Sequence, residues 1–304
     1  MSTITKKLFT TIQQDKDYFL IYQLILLTVG VASIYLLINL FFYHYKGIWY
    51  LPSYLLLFLP FALALLGLTL YFQTTTPKFA LITKSYLTYY FIYIAIGYLS
   101  TSVQYTPFLP IDNLLIMTDN YLGYNTIKMM GLTFAHPYFH LALILAYNSV
   151  YLQLLFLPYV LALMPSQQRA LCVFFFSALV SALLGMTIYY CFPTVAPAHY
   201  FISPFFTNYE HNTYLKFYEV HHHLPIQSSQ GGLIAFPSFH VIWVFLLLYA
   251  YKDFKWVFYP LLIIDLLITA ATLLLGWHYL VDVVASFFLI ISVTYFAERS
   301  IPYA

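Results

Sequence analysis

The stretch FPSFHVIWVFLLLYAYKDFKWVFYPLLIIDLLITAATLLLGWHYLVDVV, residues 236–284, consists of two apolar runs joined by a charged turn at Lys252, Asp253 and Lys255. Backbone that passes through hydrocarbon must satisfy its own hydrogen bonds, so both runs read as helices, one descending and one returning. The reversal brings His240 and His278 to the same end of the pair. Pro237 suits the first helical position, where its missing N–H is not needed. A helix from Pro237 to Tyr251 spans about 22 Å, short of a hydrocarbon core of about 30 Å, so His240 is expected to be recessed below the surface.

The rest of the 304-residue chain has the same character. It is 62% hydrophobic and 7% charged, with a mean hydropathy of +0.81, which places it among integral membrane proteins. Apolar runs of spanning length fall at roughly 18–42, 50–72, 84–103, 138–164, 169–192, 234–251, 256–276 and 278–297. The expected fold is all-α and polytopic, with about eight transmembrane helices. The first run is too long for a signal-peptide core and reads as a retained anchor. Cys172 and Cys191 lie at opposite ends of one run, too far apart to pair. A net charge of +2 with scattered basic residues gives no reason to expect a nucleic-acid partner.

Eight spans place Lys6, Lys7, Lys16, Lys78, Lys84, Arg169, Lys252, Lys255 and Arg299 on one side, against Lys46, Lys128 and Lys216 on the other. The positive-inside rule then assigns both termini to the cytoplasm. Residues 1–17 form a cytoplasmic segment, 18–83 two additional helices, and 84–304 a six-helix core with outer loops at 104–137 and 193–233. Those loops carry Asp112, Asp119, His199, Glu210, His211, Glu219 and the run His221 to His223, so polar chemistry concentrates on the outer face.

Helical spacing sets Asp282 one turn beyond His278, where it can accept from one ring nitrogen and aim the other at a substrate. The start of the preceding helix, with Ser238 and Phe239, offers free N–H groups, a hydroxyl and a partial positive charge for an anionic phosphate. His240 stands ready to protonate a leaving oxygen. A nucleophile, its carboxylate, an acid and an anion cradle together describe phosphoryl transfer through a covalent histidine. The competing reading is a buried polar network in a transporter or scaffold, although the chain lacks the inverted symmetry of many transporters. An intramembrane aspartate is functional by default, but Asp265 fits a hydrogen-bonded staple to a neighbouring tyrosine or histidine equally well. The His221 to His223 run with His211, Glu210 and Glu219 reads as a solvated loop before it reads as a transition-metal site, because it lacks a clear ligand spacing.

FPSFHV and GWHYLVDVV resemble two signature motifs of the type-2 phosphatidic acid phosphatase superfamily, Pro-Ser-x-His and His-x-x-x-Asp. YYCFPTVAPAHY, at residues 189–200, is most similar to the inositolphosphotransferase-like branch, which includes inositol phosphorylceramide synthase. IDNLLIMTDNYLG, with Asp112, Asp119 and Gly123, is similar to the same branch. The resemblance implies a six-helix core and a site at the outer face that needs neither metal nor other cofactor. It implies that His278 is the nucleophile, Asp282 its support, and His240 the acid and base. Its partners would be a phospholipid donor and a lipid alcohol acceptor. The phosphatases also carry Lys and Arg-Pro before the long loop and Ser-Arg ahead of the last histidine, where this chain has YYCFPTVAPAHY and Ala271-Thr272. Lys216, Lys128, His199 or the His221 to His223 run are candidates to replace that cationic clamp. Its absence favours a lipid phosphotransferase over a phosphatase of simple phosphates, the alternative within the same superfamily.

Overall fold

The computed structural model describes residues 3–45, 53–227 and 235–301, so Lys46 and positions 228–234 of the second long loop lie outside the described residues. Among the described residues there are twelve α-helices and no strand. They are α1 (Thr3–Phe42), α2 (Ser53–Thr75), α3 (Pro77–Ser102), α4 (Asp112–Tyr121), α5 (Thr126–Phe134), α6 (Pro137–Ala162), α7 (Gln168–Cys191), α8 (Pro197–Tyr200), α9 (Asn208–His221), α10 (Phe239–Ala250), α11 (Lys255–Leu274) and α12 (Leu280–Ser300). Six of them (α1, α3, α6, α7, α11 and α12) are long and apolar enough to cross a membrane, and Leu59–Thr75 of α2 and the whole of α10 are shorter apolar helices. This is a multi-pass membrane protein.

The bundle is organised around α7 and α10. On α7 the residues Phe175, Leu179, Ala182 and Tyr189 are all but inaccessible, because the helix packs against α1, α3, α10 and α12. In turn, α10 is enclosed by α6, α7, α11 and α12. Gly185 permits this approach, since a Cβ there would lie 2.7 Å from Cζ of Phe239. Small residues serve membrane helices in this way by letting neighbouring elements come close. The 12 residues of α10 rise only about 18 Å, which leaves the helix start inside the bundle.

That start differs from the sequence expectation. Pro237 is not the first helical residue: Ser238 takes the N-cap position with extended backbone, and its carbonyl accepts the first helical bond, from Ile242 N at 3.0 Å. The apolar run therefore enters the helix two residues later than the Pro rule places it.

Polar side chains inside the bundle staple helix to helix. Tyr18 Oη meets Ser85 Oγ at 2.6 Å and donates to Gln168 Oε1 at 3.1 Å, tying α1 to α3 and α7. Asn39 donates to the Ser102 and Tyr105 carbonyls and accepts from Tyr190 Oη. Asp265 is bonded to Gln153 of α6, whose Nε2 donates to Oδ1 at 3.1 Å, where the sequence suggested a tyrosine or histidine partner. At the opposite end of the bundle from His278, Glu298 gathers Arg169, Lys252 and Tyr249. Arg169 is thus a structural partner as well as a charge marker.

The two stretches expected as loops are largely helical. Residues 104–137 contain α4 and α5, and Gly123, just past the Leu122 C-cap of α4, adopts a φ of 77° that non-glycine residues disfavour. Residues 193–227 contain α8 and α9. A capping box opens α9, with Thr207 N donating to Glu210 Oε2 at 2.6 Å. These short helices roof the end of the bundle where the motif histidines lie.

Candidate active site

His278 stands in the turn between α11 and α12. Gly276 makes that turn possible: its φ is 79°, and a Cβ would sit 2.6 Å from Sδ of Met130, so both backbone conformation and space require glycine. The His278 backbone N–H is held by the Thr272 carbonyl at 2.9 Å. One turn on, Asp282 Oδ2 accepts from Tyr279 N at 2.9 Å and lies 3.3 Å from His278 Nδ1. The carboxylate assigns the ring proton to Nδ1, which leaves Nε2 as the acceptor. Ser238 Oγ, 3.1 Å from Nε2, donates to it, and Ser286 Oγ braces the Ser238 carbonyl at 3.2 Å. Burial pushes the His278 imidazole down to about 4, so it is neutral at ordinary pH.

His240, in the first turn of α10, faces His278 with ring centroids 6.3 Å apart. Tyr147 of α6 stacks on it at 4.4 Å, Tyr151 meets it edge-on at 6.3 Å, and Tyr147 stacks in turn on Trp277 at 5.3 Å. Both histidines open onto one cavity of about 480 Å³, roofed by α9 and walled by α6. The descending and returning helices therefore do bring the two motif histidines together.

Two carboxylates of α4 hold this arrangement from outside. Asp112, fully buried, accepts from Val195 N, from Ala196 N at 3.1 Å and from Tyr279 Oη at 2.9 Å. Asp119 accepts from Leu280 N at 2.8 Å and Val281 N at 3.1 Å, capping the first two free N–H groups of α12. Burial raises both carboxyls above the ordinary range, Asp112 to about 6, against the opposing pull of these bonds. Sequence reasoning grouped the two aspartates with the motifs and gave them no task. No sequence signal pairs Asp119 with a helix start some 160 positions away.

Of the other expected site residues, Ser238 stands against His278 and the rest lie away from the cavity. Neither Ser238 nor Phe239 lines the cavity: the hydroxyl of the first is engaged by His278, and the ring of the second packs on Trp243 at 5.0 Å. None of the candidate clamp residues lines it either. Lys128 is exposed, Lys216 is buried within α9, and His199 stacks on Tyr214 at 3.7 Å. His221 bonds the Phe217 carbonyl through Nδ1 and accepts from Thr106 N through Nε2, so the histidine run closes α9. The sequence marks Glu210 as an outer-loop carboxylate and a metal-ligand candidate beside the histidine run, not as part of this site, yet it reaches the cavity beside Tyr209 and Trp277. The only hint was the Thr-x-x-Glu spelling of its capping box.

Residues 113–296 match the family model described as PAP2 superfamily. The chain belongs to the PAP2 superfamily. The match runs from α4 into α12, so it takes in His240, His278 and Asp282 together with Asp119 and Glu210, and leaves out α1 to α3. No curated protein and no solved structure matches the chain. PAP2 superfamily membership points to phosphatase or phosphotransferase activity.

Proposed function

We propose that the protein is a membrane lipid phosphotransferase that acts on the phosphodiester of a phospholipid headgroup through a phosphohistidine at His278. The observation that carries this reading is the His278 ring, with Asp282 behind Nδ1, Nε2 turned toward Ser238, and His240 across the cavity. In the first half-reaction His278 Nε2 attacks phosphorus as the bond to the diacylglycerol oxygen breaks, and His240, which takes up a proton as the anionic phosphodiester enters, gives that proton to the oxygen. In the second, His240 takes the proton of a lipid hydroxyl whose oxygen attacks phosphorus, and the bond to Nε2 breaks. Asp282 supports the positive charge that develops on the imidazole. Ser238 leaves Nε2 on substrate entry and is then free to donate to a phosphoryl oxygen.

A phosphodiester fits better than a phosphomonoester, because the cavity has no Lys or Arg among its described lining residues to balance a second charge. The charge distribution of the sequence favours a site that opens on the outer face with both termini cytoplasmic. Superfamily membership favours one further reading, hydrolysis of phosphatidic acid. Purified protein given headgroup-labelled lipids, with and without ceramide or diacylglycerol as acceptor, separates the two. Label trapped on His278 and passed to the alcohol is the expected result. Inorganic phosphate released from phosphatidic acid, with no headgroup passed to any alcohol, would establish the phosphatase.

A further inference from the structure

The cavity is more than a passage to the two histidines. Its wall beyond His240 carries the rings of Tyr147, Tyr151, Tyr209 and Trp277, and with them the carboxyl of Glu210. Tyr209 meets the Trp277 ring edge-on at 5.3 Å, and Tyr209 and Glu210 are consecutive residues in the first turn of α9. Glu210 is only 4% exposed. Among the described residues both of its hydrogen bonds, from Thr207 N and Thr207 Oγ, fall on Oε2. Among those residues Oε1 accepts none.

From this we propose that the wall is a headgroup subsite for an ammonium group, so that the donor is a zwitterionic phospholipid bearing choline or ethanolamine. Aromatic faces attract cations through their quadrupoles, most strongly where water is excluded. A buried carboxylate oxygen needs a donor or a positive partner, and no Lys or Arg among the described lining residues supplies one to Oε1. An ammonium headgroup meets that need: its cation would lie against Glu210 and the aromatic wall while its phosphate faces His240 and His278. An inositol or glycerol headgroup would bring no cation to Glu210 or to the aromatic wall. Burial, which raises Glu210 to about 7, agrees with a carboxyl that lacks its cation.

This inference rests on the phosphotransferase reading for its turnover test but not for its binding test. Diacylglycerol release is measured with phosphatidylcholine, phosphatidylethanolamine, phosphatidylinositol and phosphatidylglycerol, for the wild type, Glu210→Gln and Trp277→Leu. Glutamine still serves a capping box, so Glu210→Gln keeps the start of α9. The wild type should turn over the two ammonium lipids on the order of tenfold faster than the other two, and each substitution should collapse that ratio. In the second arm, short-chain forms of phosphatidylcholine and phosphatidylinositol are titrated onto His278→Ala protein, which cannot react but keeps the wall. The choline lipid should bind more tightly, and Glu210→Gln in that background should remove the difference. If no donor reacts but this difference is present, the catalytic reading fails and the subsite stands. Equal or tighter binding of the inositol lipid, or a preference unchanged by Glu210→Gln, overturns the subsite.

Discussion

Asp119 offers the sharpest test of how the site is held. Replacing it with alanine leaves Leu280 N and Val281 N, at the start of α12, without their acceptors at 2.8 and 3.1 Å. Hydrogen bonds to charged groups are worth about 1.5–3 kcal/mol each, and loss of a helix N-cap costs about 0.5–2 kcal/mol. Burial of the aspartate, which raises its pKa, offsets part of that gain. The net loss for Asp119→Ala should therefore be roughly 2–3 kcal/mol. Asparagine keeps one acceptor and should lose about half as much. The larger effect is on chemistry. Because α12 carries Asp282 in its first turn and begins two residues after His278, fraying its start loosens both. A displacement of about 1 Å at a reacting group can cost on the order of a hundredfold in rate. The assay pairs thermal unfolding in detergent with diacylglycerol release, and kcat should fall more than KM rises. If Asp119→Ala unfolds at the wild-type temperature and keeps kcat within about twofold, the tertiary cap does not position the nucleophile, and the argument from α4 is wrong.

Further outcomes follow from the same geometry. Asp282→Asn should lower the rate by several orders of magnitude with little loss of folded protein, because it removes the charge that supports the imidazolium and orients Nδ1; near-normal turnover by this variant would exclude the assigned role. Gly276→Ala must take up a φ of 79° and place a methyl 2.6 Å from Met130 Sδ, so it should lower both the unfolding temperature and activity, and Met130→Ala in the same chain should restore part of both. Burial raises Glu210 from an ordinary value of 4.5 to about 7, so the fold favours its neutral form. That contribution is complete below the unfolded pKa and is lost as pH rises through about 7. The unfolding midpoint of the wild type relative to Glu210→Gln should therefore climb between about pH 8 and about pH 5, and a flat difference would show that the carboxyl is not held in a buried setting.

The membrane architecture and the two motifs were legible in the sequence because they depend on local quantities. Run length and hydropathy determine which segments can cross hydrocarbon. The four-residue spacing of His278 and Asp282 determines that they share a face, and the turn at Lys252 to Lys255 determines that His240 returns to them. Local rules were less reliable at the edges of elements. Pro237 fitted the first helical position by propensity, yet Ser238 takes the cap, because the close approach of Phe239 to Gly185 and the bond from Ser238 to His278 fix that segment from outside. The polar stretches at 104–137 and 193–227 looked like loops because their helices are short, and what they pack against lies far away in the chain. In the sequence Asp112 and Asp119 belong to a family-like pattern and Glu210 stands near the histidine run, none of them with a visible task. Their roles as clamp, cap and cavity wall depend on partners between 80 and 170 positions away for Asp112 and Asp119, and on the placing of α9 over the bundle for Glu210. A buried carboxylate is defined by the donors around it, and only the folded chain brings those donors together.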